Sequence, residues 1–346
     1  MTTSERPLTN RLLSLVPGND GPAHTRKDFS SDQEVRWCPG CGDYAILSTM
    51  QSFLPELGLR RENIVFVSGI GCSSRFPYYL DTYGVHSIHG RAPAFATGLA
   101  TSRPDLSVWV VTGDGDGLSI GAGHLLHALR RNVNIKVLLF NNEIYGLTKG
   151  QYSPTSHVGT VTKSTPMGSL DAPFNPVSLA LGAEATFVAR TLDSDRRHQS
   201  EVLRAAAAHP GAAFVEILQN CPIFNDGVFD AVKDADTRDD VTLRLRSGEP
   251  MLFGDGKALR RSASGGVEVC SAGDPGVLVH DAAADDPSLA FAVSRLADPT
   301  PMGVFRDVDH PVYDELMAEQ LTRAVAERGR GDLQALLSTG DTWVVG

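Results

Sequence analysis

Gly113-Asp114-Gly115, followed after a helix-length stretch by Asn141-Asn142, restricts the fold of this chain more than any other feature. Residues 108–112 upstream are apolar and rich in β-branched side chains, which reads as a strand. Gly113 to Gly117 then reads as a tight loop. From Gly121 to Arg131, Leu125, Leu126 and Leu129 recur at helical spacing, and 135–140 form a second apolar run. A strand, loop, helix and strand in this order form a right-handed crossover of a parallel sheet, so both ends of the motif fall at the carboxyl edge where open α/β sheets bind ligands. Asp114 and Asn142 should meet there. A carboxylate and an amide oxygen suit a hard cation such as Mg²⁺, which is commonly shared with the oxygens of a bound phosphate. Gly113, Gly115 and Gly117 would let main-chain N–H groups approach that phosphate. Gly254-Asp255-Gly256 has neither the flanking strands nor an Asn pair downstream and reads as a plain turn.

The cysteines add a second constellation. Cys38 and Cys41 lie in Trp37-Cys-Pro-Gly-Cys-Gly42, ahead of a helix starting near Asp43. Cys72 sits in the turn Gly69-Ile-Gly-Cys-Ser-Ser74 after a strand at 64–67, and Cys221 follows a strand at 213–217. Both single cysteines therefore lie beyond strand ends on the side of the Gly-Asp-Gly motif, where four thiolates could gather. Cys-x-x-Cys alone also serves zinc knuckles and redox dithiols, and a zinc-stabilised interaction subunit stays open on the residues alone. A dithiol would leave Cys72 and Cys221 without a role. Cys270, at the end of an apparent strand, reads as a free structural thiol.

The run from Gly113 through Arg130-Arg131-Asn132 to Asn141-Asn-Glu-Ile-Tyr-Gly-Leu-Thr-Lys-Gly-Gln151 resembles the thiamine diphosphate-binding β subunits of the 2-oxoacid:ferredoxin oxidoreductases, most of all those acting on 2-oxoglutarate. The likeness covers about residues 28–230. It implies Mg²⁺ on Asp114, Asn142 and the carbonyl of Ile144, and diphosphate contacts from Gly115 and Asp116. Gly146 and Leu147 would close over the cofactor, with Ile70, Gly71, Cys72, Ser73, Gly113, His89, Gly90, Arg91 and Ala92 lining it. It also implies a [4Fe-4S] cluster on Cys38, Cys41, Cys72 and Cys221. A cluster that takes electrons singly beside a cofactor that stabilises carbanions is suited to oxidative decarboxylation of a 2-oxo acid. Coenzyme A would accept the acyl group and ferredoxin the electrons, although no segment of the chain announces coenzyme A binding. Pyruvate or a broad range of 2-oxo acids is the neighbouring reading, and a non-redox thiamine decarboxylase or carboligase subunit is motivated by the diphosphate motif alone.

Arg75, three positions after Cys72, offers a planar fork suited to the distal carboxylate of 2-oxoglutarate. His89 is the other candidate for contact with the reacting groups; His124 and His127 are left to packing. One α/β unit is legible, in 31–230, with an N-terminal extension (1–30) that orders only against another chain, if at all. A C-terminal extension (231–346) should pack on the domain or on a partner subunit, with an amphipathic helix near 314–328. The missing pyrimidine-binding domain implies an α subunit. A net charge of −10 argues against nucleic acid or an anionic membrane as partner. With no signal peptide and no apolar run of membrane-spanning length, the expected location is cytoplasmic.

Overall fold

The computed structural model describes residues 10–346. Its centre is an eight-stranded sheet of order β2-β1-β3-β4-β8-β7-β13-β9. In chain order these are β1 (Ile64–Ser68), β2 (Tyr83–His86), β3 (Ser107–Gly113), β4 (Lys136–Asn141), β7 (Phe187–Leu192), β8 (Ala213–Leu218), β9 (Thr242–Leu245) and β13 (Thr300–Asp307). The first six run parallel. A two-stranded hairpin, β5 (Ile144–Tyr145) with β6 (Gln151–Tyr152), and a three-stranded one, β10 (Leu252–Phe253), β11 (Lys257–Arg261) and β12 (Val267–Ser271), complete the strands. Gly254-Asp-Gly256 is the turn between β10 and β11.

β3, β4 and β8 read as unbroken apolar runs because both faces are covered. Trp109, Val111, Leu138 and Ile217 face one core with α1 (Asp43–Phe53) and α6 (Arg196–Ala208). Val108, Val110, Val137 and Leu139 face the other, with α2 (Ala92–Ser102), α4 (Ala122–Arg130) and α5 (Pro176–Gly182). α3 (Asp114–Leu118) occupies the stretch where glycines suggest a tight loop. Asp114 and Asp116 lie in its first turn, where negative charge suits the helix dipole, with no side-chain cap hydrogen bond.

The expectation that residues 1–30 order only against a second chain fails for residues 10–30; residues 1–9 lie outside the described part. Leu12, Val16 and Phe29 are buried, and the Asn10 amide donates to the carbonyl of Ala207 at 3.1 Å. Enough apolar surface is spaced along this polar stretch to pay for its ordering on the same chain.

After residue 230, α7 (Asp230–Lys233) and α8 (Arg238–Val241) lead to β9, and α9 (Ser288–Ser294) to β13. β13 pairs antiparallel with β7, and β9 pairs with β13, so this region extends the sheet itself. α10 (Tyr313–Arg328) has no buried residue, and its Leu316, Leu321 and Val325 are exposed. α11 (Leu333–Leu337) follows. Among the described residues no helix is long and apolar enough to cross a membrane.

Candidate functional site

Five segments that follow parallel strands meet at the carboxyl edge: the turn after β1, the turn after β2, α3 after β3, residues 142–151 after β4, and residues 219–221 after β8. Between them lies a cleft of about 140 Å³ lined by Ile70, Gly71, Cys72, Ser73, His89, Gly113, Asp114, Gly115, Asp116, Asn142, Ile144, Gly146 and Leu147. Ile120, Phe140, Tyr145, Thr148 and Gln219 complete the lining. Tyr145 and Thr148 belong to the 141–151 run, whereas Ile120, Phe140 and Gln219 have no such signature in the sequence.

Asp114 is 2% exposed, and burial holds its carboxyl up at about 6 against the pull of the Ser153 and Thr155 hydroxyls. Thr155 donates to Asp114 Oδ2 at 2.7 Å and shares that proton with Asn141 Oδ1 at 2.9 Å. No described cation pairs with Asp114, so the site has a buried negative charge facing a cleft. Asn142 beside it is oriented by two bonds: its Oδ1 accepts the Ile144 N–H at 3.2 Å and its Nδ2 donates to Gln219 Oε1 at 2.8 Å. The first Asn of the pair serves a different purpose. Asn141 Nδ2 donates to Glu216 Oε1 at 2.7 Å, and Glu216 in turn is paired with the buried Arg190 at 2.6 Å. Glu143, with φ 55°, is pushed up to about 8 by burial and by Asp114 and Glu216.

Asp116 lines the cleft, but its carboxylate turns back into the protein. Oδ1 accepts the N–H groups of Ile70 and Gly90 at 3.2 and 2.7 Å, and Oδ2 accepts the Thr112 hydroxyl at 2.8 Å. One side chain therefore holds three strand-end segments together, leaving its main chain for any ligand. Gly90 is required by space: at φ 67° a Cβ would stand 2.5 Å from the Gly121 nitrogen. Gly90, Arg91 and Ala92 are not among the cleft's lining residues. The Arg91 guanidinium bonds the carbonyls of His89 and Ile120, and Ala92 is buried at the start of α2. His89 is in the lining and largely exposed, with Nδ1 4.0 Å from Asp116 Oδ1.

The four expected cysteines lie on adjoining segments, with Cys72 in the cleft lining, Cys221 buried, Cys41 half-buried and Cys38 exposed. Trp37 Nε1 donates to the carbonyl of Cys72 at 2.8 Å, tying the Cys38–Cys41 turn to the Cys72 turn. Gly42 N–H donates to the carbonyl of Asn220 at 3.1 Å, and a Cβ on Gly42 would meet Gln219 and Asp193, so the turn docks against the segment carrying Cys221. A methyl group on Gly146 would stand 3.6 Å from both Cys72 Sγ and Cys221 Sγ. Burial, then Asp43, then Cys221 and Cys38 push the Cys72 thiol up to about 12, and Cys41 is pushed up by burial, Asp43, Cys72 and Cys221. Among the described residues no group of three or more His, Cys, Asp or Glu side chains is drawn together to hold a metal ion. Cys270 lies apart on β12.

Arg75 stands beside Cys72 in the turn after β1 but does not line the cleft. Its Nη1 donates to the carbonyl of Arg36 at 3.4 Å, and it forms no ion pair with a described residue. Sequence reasoning missed Thr155, Gln219 and Asn225, whose Nδ2 holds the Asn142 carbonyl at 2.9 Å. The hydroxyl-rich Ser153-Pro154-Thr155-Ser156 tract and the place of Gln219 two residues before Cys221 were the available signals.

A parallel sheet with a buried Asp, a half-buried Asn and a Gly-rich helical turn at its carboxyl edge is the arrangement of a thiamine pyrophosphate-binding domain. Residues 69–217 match the family described as thiamine pyrophosphate enzyme, C-terminal TPP binding domain. The chain is 64% identical to the 2-oxoglutarate oxidoreductase subunit KorB of Mycobacterium tuberculosis, over 95% of this chain and 91% of that one. It is 48% identical to the 2-oxoacid:ferredoxin oxidoreductase subunit beta of Saccharolobus solfataricus, over 55% of this chain and 63% of the relative. The solved 2-oxoglutarate:ferredoxin oxidoreductase from Magnetococcus marinus, with 2-oxoglutarate, coenzyme A and succinyl-CoA bound, superposes with a TM-score of 0.75 at 33% identity, covering 94% of this chain and 99% of that one. The chain belongs to the β subunits of the 2-oxoacid:ferredoxin oxidoreductases.

Proposed function

We propose that this chain is the β subunit of a cytoplasmic enzyme that oxidatively decarboxylates 2-oxoglutarate with coenzyme A, giving succinyl-CoA and CO₂ and passing electrons singly to ferredoxin. The observation that carries this is the juxtaposition of two donor sets: the buried Asp114 carboxylate with the Asn142 amide on the cleft, and cysteines on the adjoining segments, of which Cys72 shares the cleft lining. Asp114, a buried carboxylate without a cation, fits Mg²⁺ together with Asn142 and the carbonyl of Ile144. Gly115 and the main chain of Asp116 fit a diphosphate, since the Asp116 carboxylate is committed elsewhere. Cys38, Cys41, Cys72 and Cys221 fit a [4Fe-4S] cluster, whose positive iron would offset the burial that raises the Cys41 and Cys72 thiols.

When bound, thiamine diphosphate stabilises the carbanion left by loss of CO₂, and the cluster accepts electrons one at a time. The residues of this chain position both. Thr155 and Gln219 fix the oxygen ligands, Asp116 fixes the segments around the cleft, and the apolar Phe140 and Ile144 keep water from its floor. Ile88, Ile120 and Leu147 near the mouth are 67%, 58% and 50% exposed, an apolar rim that supports coverage by an α subunit. The names of the relatives support the same substrate and partner. Residues 31–230 are the cofactor-binding unit in this reading, with the later region extending its sheet.

The test is analysis of the complex purified anaerobically with its α subunit. Iron and sulfide near four each per β chain, bound thiamine diphosphate, and 2-oxoglutarate-dependent reduction of ferredoxin are expected. Zinc without sulfide would overturn the cluster, and thiamine diphosphate without iron would leave a non-redox thiamine enzyme. Cys72→Ser should lose or degrade the cluster spectrum; an unaltered spectrum removes Cys72 from the ligand set.

A further inference from the structure

One buried amide joins the two halves of the site. Gln219, 1% exposed at the end of β8, accepts from Asn142 Nδ2 at 2.8 Å through Oε1. Its Nε2 donates to the carbonyl of Asn220 at 2.7 Å and to Cys41 Sγ at 3.2 Å. Both amide hydrogens are used. The orientation follows from the neighbours. Asn142 Oδ1 accepts the Ile144 N–H, so Asn142 presents its NH₂ to Gln219, and the Asn220 carbonyl requires a donor at Nε2. The backbone is held as well, with Gln219 N–H donating to the Asn141 carbonyl at 2.8 Å.

We infer that Gln219 is a positioning residue that couples the cation and diphosphate site to the sulfur of Cys41, so that filling the first alters the readiness of a metal centre at the second to accept an electron. The inference rests on the reading that the thiols carry an iron–sulfur cluster and that Asn142 contacts Mg²⁺. A hydrogen bond to a ligating sulfur draws charge from it and favours the reduced cluster, which raises the potential. A cation on the amide oxygen of Asn142 makes its N–H a stronger donor, and linked amides polarise one another in sequence. The Gln219 bond to sulfur strengthens in turn. A loaded cofactor site thus makes the cluster a better acceptor, and an empty one leaves it a poorer one.

The experiment uses the αβ complex, as wild type and as Gln219→Leu, which removes both ends of the link at similar volume. Iron and sulfide are measured first, and the cluster midpoint is then followed by EPR with and without Mg²⁺ and thiamine diphosphate. In wild type the midpoint moves to a more positive potential on loading. In Gln219→Leu it starts more negative, and the loading shift falls to less than half. A variant that keeps its cluster with a wild-type midpoint and an undiminished shift overturns the coupling and leaves Gln219 as packing. Should the variant lose its cluster, the wild-type titration decides: no shift, or a negative one, overturns the inference. Absence of iron and sulfide from wild type would instead refute the functional reading beneath it.

Discussion

Two fully buried charged side chains sit at opposite edges of the same sheet, Lys136 at the amino end of β4 and Asp114 beyond the carboxyl end of β3, and their surroundings differ. Lys136 Nζ reaches the carbonyls of His209 and Gly211 at 2.6 and 2.8 Å and Asn134 Oδ1 at 3.3 Å, with Asp314 and Asp307 nearby in charge. Asp114 has neutral hydroxyls, no cation, and open space in front of it. The carboxyl edge also holds Asp43, which burial raises to about 7 against a hydrogen bond from the Cys41 thiol, and which has no cation beside it among the described residues. An edge whose buried polar group is hydrogen-bonded within its own chain contributes to stability; an edge whose buried group faces an open cleft is shaped for something else.

The sharpest way to break this comparison is Asp114→Asn. Removing the charged ligand should weaken Mg²⁺-dependent thiamine diphosphate binding roughly a hundred-fold or more, the scale of ~3 kcal/mol for a charged contact. Thermal stability of the cofactor-free protein should stay level or rise, because a buried charge without a partner has gone. Titration calorimetry and a melting curve on the same sample read both. A variant that binds cofactor normally but melts early would show that Asp114 serves the core instead.

Lys136→Met should do the reverse. It leaves two buried carbonyls without their donor, at a cost of about 2–4 kcal/mol in urea unfolding. Cofactor affinity should remain within about two-fold, the level expected of an independent, distant site. A large loss of affinity with normal stability would erase the division between the edges.

The pH dependence sharpens the same contrast. Burial pulls the Lys136 ammonium down from 10.5 to about 7 against the attraction of Asp314 and Asp307. Between those values the unfolded chain holds a proton that the folded chain has released, so stability rises with pH in that window and is flat, for this group, below it. Relative to Lys136→Met, wild type should gain stability from pH 7 to pH 9, by at most ~1.4 kcal/mol per unit. A flat difference would mean that the three oxygens keep the ammonium charged, and that this edge is completed more fully than burial alone allows.

What could be read from the sequence divides along similar lines. The crossover from β3 to β4 was legible because apolar runs and helical spacing locate strands and a helix, and Gly and Asp between them admit few structures. That Cys72 and Cys221 lie on the same side followed from strand direction alone. The inward turn of the Asp116 carboxylate was not legible, since carboxylates on a glycine-rich turn look alike until neighbouring segments are placed. Thr155 and Gln219 belong to residue types with too many uses for position alone to reveal them. β13 was hidden by Pro301 and Gly303, which interrupt its apolar pattern, and by its pairing with β7, which is far away in sequence. The burial of Leu12 and Val16 was masked by the polar composition around them.

The smallest expected effect concerns Arg75, at the margin between the two kinds of surroundings. Its guanidinium has one long bond, to the Arg36 carbonyl, no carboxylate partner among the described residues, and a place beside Cys72 outside the cleft lining. A substrate carboxylate would compete with that carbonyl for the guanidinium. The gain is then that of a partly solvated charged contact, about 0.5–1 kcal/mol, or roughly two- to five-fold. Arg75→Leu should therefore lower kcat/KM for 2-oxoglutarate by about that factor in the complex with the α subunit and leave pyruvate, which has no distal carboxylate, nearly unchanged. Equal losses on both substrates would mean that Arg75 supports the Cys72 turn. A loss of a hundred-fold on 2-oxoglutarate alone would mean that the α subunit brings this arginine into the site, and that the cleft of the single chain is only part of the substrate pocket.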